Sequence, residues 1–334
     1  MKVYFPPSLL NISLSKVAVS ICYAKDLNYL MAGFQYRHKC DHGETRDLIQ
    51  SVVEKGNEII FALQIPKSLK ETLTGVFKAT VLDINIWFSE HEFFLHIYFD
   101  ILSSFHWNAE GSINRLKTAQ ALIQRNEASD ILLLTLAATY CLEVDLERLW
   151  VNVVISERDQ SMVESYFYEL EYQWSSYWLQ KFHYVPLTRE SRIHWPLIKN
   201  EGQLLHILRS FDSDCDRRNR LIATAKENSE NINMMRSCLS HLDESDLKEV
   251  FEKKRDAYEF IKKFLNWPFQ TSFIPMVNQL WSYLSNRDIN ELLLLITFQI
   301  RQGLGDFNYV DLLEEFWDQC PAHLKEGIQK PLLN

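Results

Sequence analysis

Apolar positions along the chain recur mostly at spacings of three and four, the signature of helices that turn one face to a core. Residues 9–24 follow a Pro-Pro-Ser start, and Leu10, Leu14, Val17 and Ile21 fall on one stripe, which predicts a first helix. A second start lies at Asp243-Glu244-Ser245-Asp246, where N-cap side chains are followed by acidic residues in the first turn. Phe251, Tyr258, Ile261 and Leu265 then carry that predicted helix to Asn266-Trp267-Pro268. The Leu-rich runs 131–142 and 292–300 read as buried helices, each bounded by charge at Asp130, Glu143, Glu291 or Arg301. Residues 80–88 are ambiguous, because Val81 and Trp87 lie on one parity and Leu82, Ile84, Ile86 and Phe88 on the other. Alternation of that kind suits a strand, yet no partner strand is evident nearby, so the segment is read as helix.

These elements predict an all-α fold of antiparallel helix pairs in two halves. The stretch 186–196, bounded by two prolines and rich in charge, is the expected boundary between a region 1–185 and a region 197–334. Residues 212–220 are dense in charge and read as a surface loop. Faint echoes run through the chain. Asp130-Ile131-Leu132-Leu133-Leu134 resembles Glu291-Leu292-Leu293-Leu294-Leu295, and Asp145-Leu146, Asp246-Leu247 and Asp311-Leu312 each open a similar hexamer. An acidic N-cap with Leu one position later would suit a recurring short helix. The intervals are irregular, so the alternatives are a divergent helical array and unrelated helices that share a capping rule.

Composition narrows the class. Nine Gly and nine Pro in 334 residues leave little material for a many-stranded protein or for glycine-rich phosphate loops, while 47% apolar residues supply a sizeable core. A formal charge of −9 argues against a nucleic-acid partner, which needs a basic face to displace counterions. The longest uncharged stretch, 264–286, holds Pro268, Pro275, Gln270, Asn278 and Gln279, which hydrocarbon would not accept together. Lys16 interrupts the only apolar run near the start, so no export signal is read there. The six cysteines are scattered without a Cys-x-x-Cys pair and read as free thiols of a cytoplasmic protein.

Candidate chemistry is sparse. His38, Cys40, Asp41 and His42 place two imidazoles, a thiol and a carboxylate within five residues, and on a loop they could converge on zinc or copper. His91 and His96 resemble a zinc-protease helix, but their spacing of five sets them about 140° apart around a helix of 3.6 residues per turn. Asp212, Asp214 and Asp216 start like a calcium loop, but Arg217 and Ala223 stand where that loop needs Gly and Glu. Gly303-Leu304-Gly305 lacks a third glycine and a preceding strand. No catalytic residue and no cofactor is assigned. Residues 166–184 form a dense aromatic belt, Tyr166, Phe167, Tyr168, Tyr172, Trp174, Tyr177, Trp178, Phe182 and Tyr184, which suits part core and part partner surface.

Near the C-terminus Leu292, Ile296 and Ile300 repeat at four-residue spacing, followed by Cys320-Pro321, Leu324-Lys325 and Ile328. Segment 291–328 resembles a SOCS box, the short helical tail by which substrate receptors join elongin B–C and a cullin ubiquitin ligase. The resemblance implies docking on elongin through Leu292, Ile296 and Ile300 and contacts from Pro321 and Leu324. The segment departs from the family at Ile296, where a small residue is usual, and at Glu291, which replaces Ser, Thr or Pro. The function expected from the whole is a non-enzymatic interaction module or scaffold. The alternatives are an elongin–cullin substrate receptor and an all-α metal protein or enzyme built on His38, Cys40 and His42.

Overall fold

The computed structural model describes residues 5–36, 42–92, 100–155, 178, 198–228, 231–252, 255–326 and 328. The described chain is all-α, with helices α1 (Leu9–Cys22), α2 (Asn28–Tyr36), α3 (His42–Ala62), α4 (Lys67–Glu90), α5 (Arg115–Arg125), α6 (Asp130–Thr139), α7 (Glu143–Ile155) and α8 (Glu201–Ser210). They are followed by α9 (Asp214–Glu227), α10 (Ile232–Ser240), α11 (Glu244–Val250), α12 (Asp256–Ile261), α13 (Phe273–Leu280), α14 (Asn286–Arg301), α15 (Tyr309–Gln319) and α16 (Ala322–Lys325). No described helix is long and apolar enough to cross a membrane.

Two compact units form, and their division differs from halves meeting near residue 190. One comprises Met1–His96, Trp107–Ile113 and Met235–Asn334; the other comprises Ile97–His106 and Asn114–Met234. Residues 186–196, the expected boundary, lie outside the described residues.

In the first unit α1 and α3 pack on α4, and α2 packs on α3. Ser8 caps α1 by accepting from the Asn11 amide at 3.1 Å. The buried face of α1 is Leu14, Ser15, Ala18, Ile21 and Cys22, whereas Leu10 and Val17 of the expected stripe are 51% and 39% exposed. The small side chains decide this rotation. Ala18 lies fully buried, and the Ser15 hydroxyl donates to the Glu110 carbonyl at 2.9 Å, so the 107–113 segment sits close against the helix. The ambiguous 80–88 lies inside α4, with Val81, Ile84, Trp87 and Phe88 buried at helical spacing and Leu82 and Ile86 outward. Near its N-terminus α4 meets the turn before α15: a Cβ on Gly75 would stand 2.4 Å from the Asp306 amide nitrogen.

The helix predicted from Asp243 to Leu265 is broken. Asp243 and Asp246 form a capping box for α11, but that helix stops at Phe251. Arg255, at φ +81°, reorients the chain before α12 and a 3₁₀ turn over Lys262–Leu265. The expected core residues Phe251, Tyr258, Ile261 and Leu265 are all buried, so the apolar stripe was right and the continuity was not. Below them Phe316 of α15 meets Phe273 of α13 at 5.4 Å and stacks on Trp281 at 5.7 Å. A buried polar knot joins α15 to the Gln270 turn. Gln270 Nε2 donates to Asp306 Oδ2 at 2.7 Å, and the Tyr309 hydroxyl lies 3.1 Å from the Leu265 carbonyl. Burial pushes the Asp306 carboxyl up, partly offset by a hydrogen bond from its own backbone and by those from Tyr309 and Gln270.

In the second unit α6 packs on α5 and α7. Asn114 caps α5, and Arg125 in its last turn donates to the Asp100 carbonyl and the Ser104 hydroxyl. The last carbonyls of α6 are satisfied by side chains. Trp178 Nε1 reaches the Ala138 carbonyl at 3.3 Å, while Asn200 Nδ2 and Gln203 Nε2 both reach the Thr139 carbonyl at 2.8 Å. His206 of α8 is buried with Nδ1 2.6 Å from Glu143 Oε1, and its ring lies 5.0 Å from Trp178. The charged stretch read as a loop is the start of α9, capped by Ser213, with Asp214 and Asp216 in the first turn. Acidic side chains there favour a helix N-terminus, a physical role that a loop reading overlooks.

The echoes acquire one physical meaning. Asp145, Asp246 and Asp311 are each the third residue of a helix rather than its cap, and the Leu after each is buried. Asp288 and the buried Ile289 repeat the pattern in α14. Asp130, by contrast, opens α6 while Glu291 sits in the second turn of α14, so that pair is not equivalent.

Candidate functional site

The site is built on α14. Ser285 caps the helix reciprocally with Asp288, whose Oδ2 accepts from the Ser285 amide at 2.9 Å and from its hydroxyl at 2.6 Å. At the other end Gly303 adopts φ +64°, its amide donating to the Ile300 carbonyl and the Leu304 amide to that of Gln299. This is a Schellman closure, which needs the left-handed conformation glycine takes without strain. The helix is therefore held at both ends.

Its two faces differ sharply. Ile289, Leu292, Leu293, Ile296 and Thr297 are buried, while Leu294 and Phe298 are 58% and 56% exposed. Spacing of four places Leu294 and Phe298 side by side, one turn apart, on the face opposite the core. Of the residues expected to meet elongin, Leu292 and Ile296 are fully enclosed, Ile300 and Pro321 half-buried and Leu324 buried. Pro321 precedes α16, a single turn that packs on α14. The signal for the outer pair was present in the sequence, as a second i, i+4 apolar pair offset by two from the first. A run read as uniformly buried hid it.

Glu291 locks the N-terminal half of α14 to the Arg255 turn. The Arg255 guanidinium donates to both of its oxygens, at 3.2 and 2.5 Å, and Arg287 Nε donates at 2.9 Å. Arg255 also lies over the Tyr258 ring at 4.5 Å. The hydrogen bond from Arg287, then that from Arg255, hold the Glu291 carboxyl at about 2 against an ordinary 4.5. A carboxyl lowered in the folded state stabilises above its unfolded value and loses that contribution as pH falls toward the folded one. Glu291→Gln is therefore expected to melt below the wild type at pH 6, the gap closing between about pH 5 and pH 2. Thermal melts across that range check this, and a gap unchanged at pH 2 would contradict it.

The other candidates fall elsewhere. His38, Cys40 and Asp41 lie outside the described residues, as do His96 and the aromatic belt apart from the buried Trp178; His42 opens α3. His91 is buried, stacked on Trp87 at 4.2 Å with Nδ1 2.7 Å from the Trp87 carbonyl. Among the described residues no group of three or more His, Cys, Asp or Glu is placed to hold a metal ion. Of the described cysteines, Cys22, Cys141, Cys238 and Cys320 are buried free thiols and Cys215 is exposed. Burial pushes the Cys22 thiol up to about 12. No protein-family model, curated protein or solved structure matches the chain.

Proposed function

We infer that the protein is a non-enzymatic interaction module that docks a protein partner on the outer face of α14. The observation that supports this is the Leu294–Phe298 pair, solvent-exposed on a helix whose opposite face is closed into the core. Single exposed apolar residues are ordinary on protein surfaces, but a paired Leu and Phe at helical register is the form in which a helix anchors in a partner's groove. With a little over half of each side chain in solvent, each leaves about 1–2 kcal/mol of burial unrealised until a partner covers it.

The test is quantitative capture by immobilised wild type and by Leu294→Ser/Phe298→Ser, two forms expected to melt alike. Proteins held by the wild type should fall at least about tenfold in the variant, as removal of two anchors predicts. Equal recovery by both would sink this reading. Purified elongin B–C serves as a defined probe beside it. If elongin were bound equally by both forms, docking would run through Leu292, Ile296 and Ile300, and α14 would have to release a stripe that otherwise belongs to the core.

A further inference from the structure

We propose that a cleft between α1, the 107–113 segment and the turns before α13 and α15 binds a primary alkylammonium group, its charge held by Glu110 and Asp306 and its methylene stem by Trp267 and Phe307. None of the lining residues belongs to α14, so this site is independent of the docking face. Asn11 of α1, Glu110, Gln270 and Asp306 supply polar lining, and Pro7, Trp267 and Phe307 supply apolar walls. Close packing fixes those walls. The Ser15 hydroxyl donates to the Glu110 carbonyl at 2.9 Å. Gly111, at φ +93°, lets the segment lie against α1 and Trp267 together: a Cβ there would stand 2.7 Å from the Ser15 Cβ and 3.0 Å from Trp267 Cζ2.

The lining is rich in acceptors and short of donors. The Glu110 carboxylate accepts from the Ser112 hydroxyl at 3.3 Å, which itself accepts from Asn108 Nδ2 at 3.0 Å. Asp306 Oδ2 takes Gln270 and Tyr309, whereas Oδ1 is buried with no hydrogen-bond partner among the described residues. The described hydrogen-bond partners of both carboxylates are therefore neutral. Lys78 of α4, exposed to solvent, acts on Asp306 from a distance and does not line the cleft. The interior holds about 20 Å³, against roughly 10–15 Å³ needed for one water, so a head group of water size enters. An ammonium has that size and brings three donors and no acceptor, the complement of this lining. Calcium would demand at least about six oxygen ligands, more than so small a cleft assembles. Burial disfavours the Asp306 charge, and a cation beside it offsets that cost. The aromatic walls attract a cation and cover its alkyl stem.

The probe is n-butylammonium chloride, titrated into the full chain at neutral pH and constant ionic strength and read by isothermal calorimetry. n-Butanol, which lacks the charge, and butyltrimethylammonium, whose head has no N–H and exceeds the cleft, are the controls. Butylammonium should bind the wild type saturably at one site, and neither control should bind. Binding should weaken at least about tenfold in Glu110→Gln and in Asp306→Asn, as loss of a charged hydrogen-bond partner predicts. Glu110 is half-buried on a surface segment, so Glu110→Gln keeps the test intact even if Asp306→Asn loosens the Gln270 turn. Equal binding of butylammonium and butyltrimethylammonium would reduce the effect to general attraction toward an acidic protein and overturn the proposal. So would no binding to the wild type, or binding unchanged in both variants. Binding only after Lys78→Met would make that side chain the occupant and overturn it equally. Nα-acetyl-lysine amide separates the sources of the group. Binding like that of butylammonium assigns the cleft to a lysine side chain, and binding of butylammonium alone assigns it to a free amine.

Discussion

Leu292→Ala is expected to destabilise the protein by about 2–5 kcal/mol, the range for truncating a fully enclosed leucine, and to lower the melting temperature by roughly 5–15 °C. Leu292 has no exposed surface and lies between Ile289 and Ile296 on the closed face of α14. Truncation removes its transfer free energy and leaves a cavity that a helix fixed at both ends cannot collapse to fill. Leu294→Ser, two residues on, should change stability by no more than about 0.5 kcal/mol, as a surface substitution does. The contrast between neighbours of the same chemical type makes the prediction sharp. Denaturant unfolding of both variants checks it, and equal effects would mean that α14 does not sit with this face inward. The same contrast bears on binding experiments: loss of a partner in Leu292→Ala is ambiguous between a lost contact and a lost fold.

Gly75→Ala should also be strongly destabilising, by about 1–3 kcal/mol or more. In an exposed helix that change would gain roughly 1 kcal/mol of helix propensity, so the sign itself is at stake. Sterics win here because the obstruction is backbone. The new Cβ would stand 2.4 Å from the Asp306 nitrogen, 2.6 Å from its Cα and 2.7 Å from its Cβ. No side-chain rotation relieves such a clash; the 305–306 turn would have to move off α4, and it carries Asp306 with its bond to Gln270. Gly305 makes the reciprocal approach, its missing Cβ 3.0 Å from the Glu71 carbonyl oxygen. A stabilised Gly75→Ala protein, measured by thermal melt, would show that the two segments are not in contact.

Which parts were legible in the sequence follows from what periodicity can carry. The all-α class was legible because apolar spacing is a property of each segment alone. Which face of a helix turns inward depends on its neighbours, and there the reading slipped. In α1 apolar residues occur in every turn and on more than one face, so Leu10 and Val17 looked as buried as Leu14 and Ile21; the small Ser15 and Ala18 set the facing, and small residues carry little hydrophobic signal. The break before α12 was invisible for a related reason. Arg255 takes a left-handed conformation with no Gly or Pro nearby to announce it. Its guanidinium fork on Glu291 joins residues 36 positions apart, beyond the reach of any local pattern. The acidic echoes were visible but assigned one helical position, the cap, when Asp145, Asp246 and Asp311 are each the third residue of their helix, inside its first turn. For the candidate site, the four-residue spacing in α14 was noticed on the inner stripe, while the outer pair that the structure leaves in solvent went unread.

The most direct measurement is photo-crosslinking from the outer face of α14. A benzophenone-bearing phenylalanine in place of Phe298 conserves an aromatic ring at the proposed anchor, and the same group in place of Tyr29, 88% exposed in the same unit, serves as the control. Irradiation of the two forms in cell extract should yield a discrete higher-mass adduct from position 298 and none from position 29. Adducts of equal yield from both positions, or none from 298, would contradict the docking face on which the account rests.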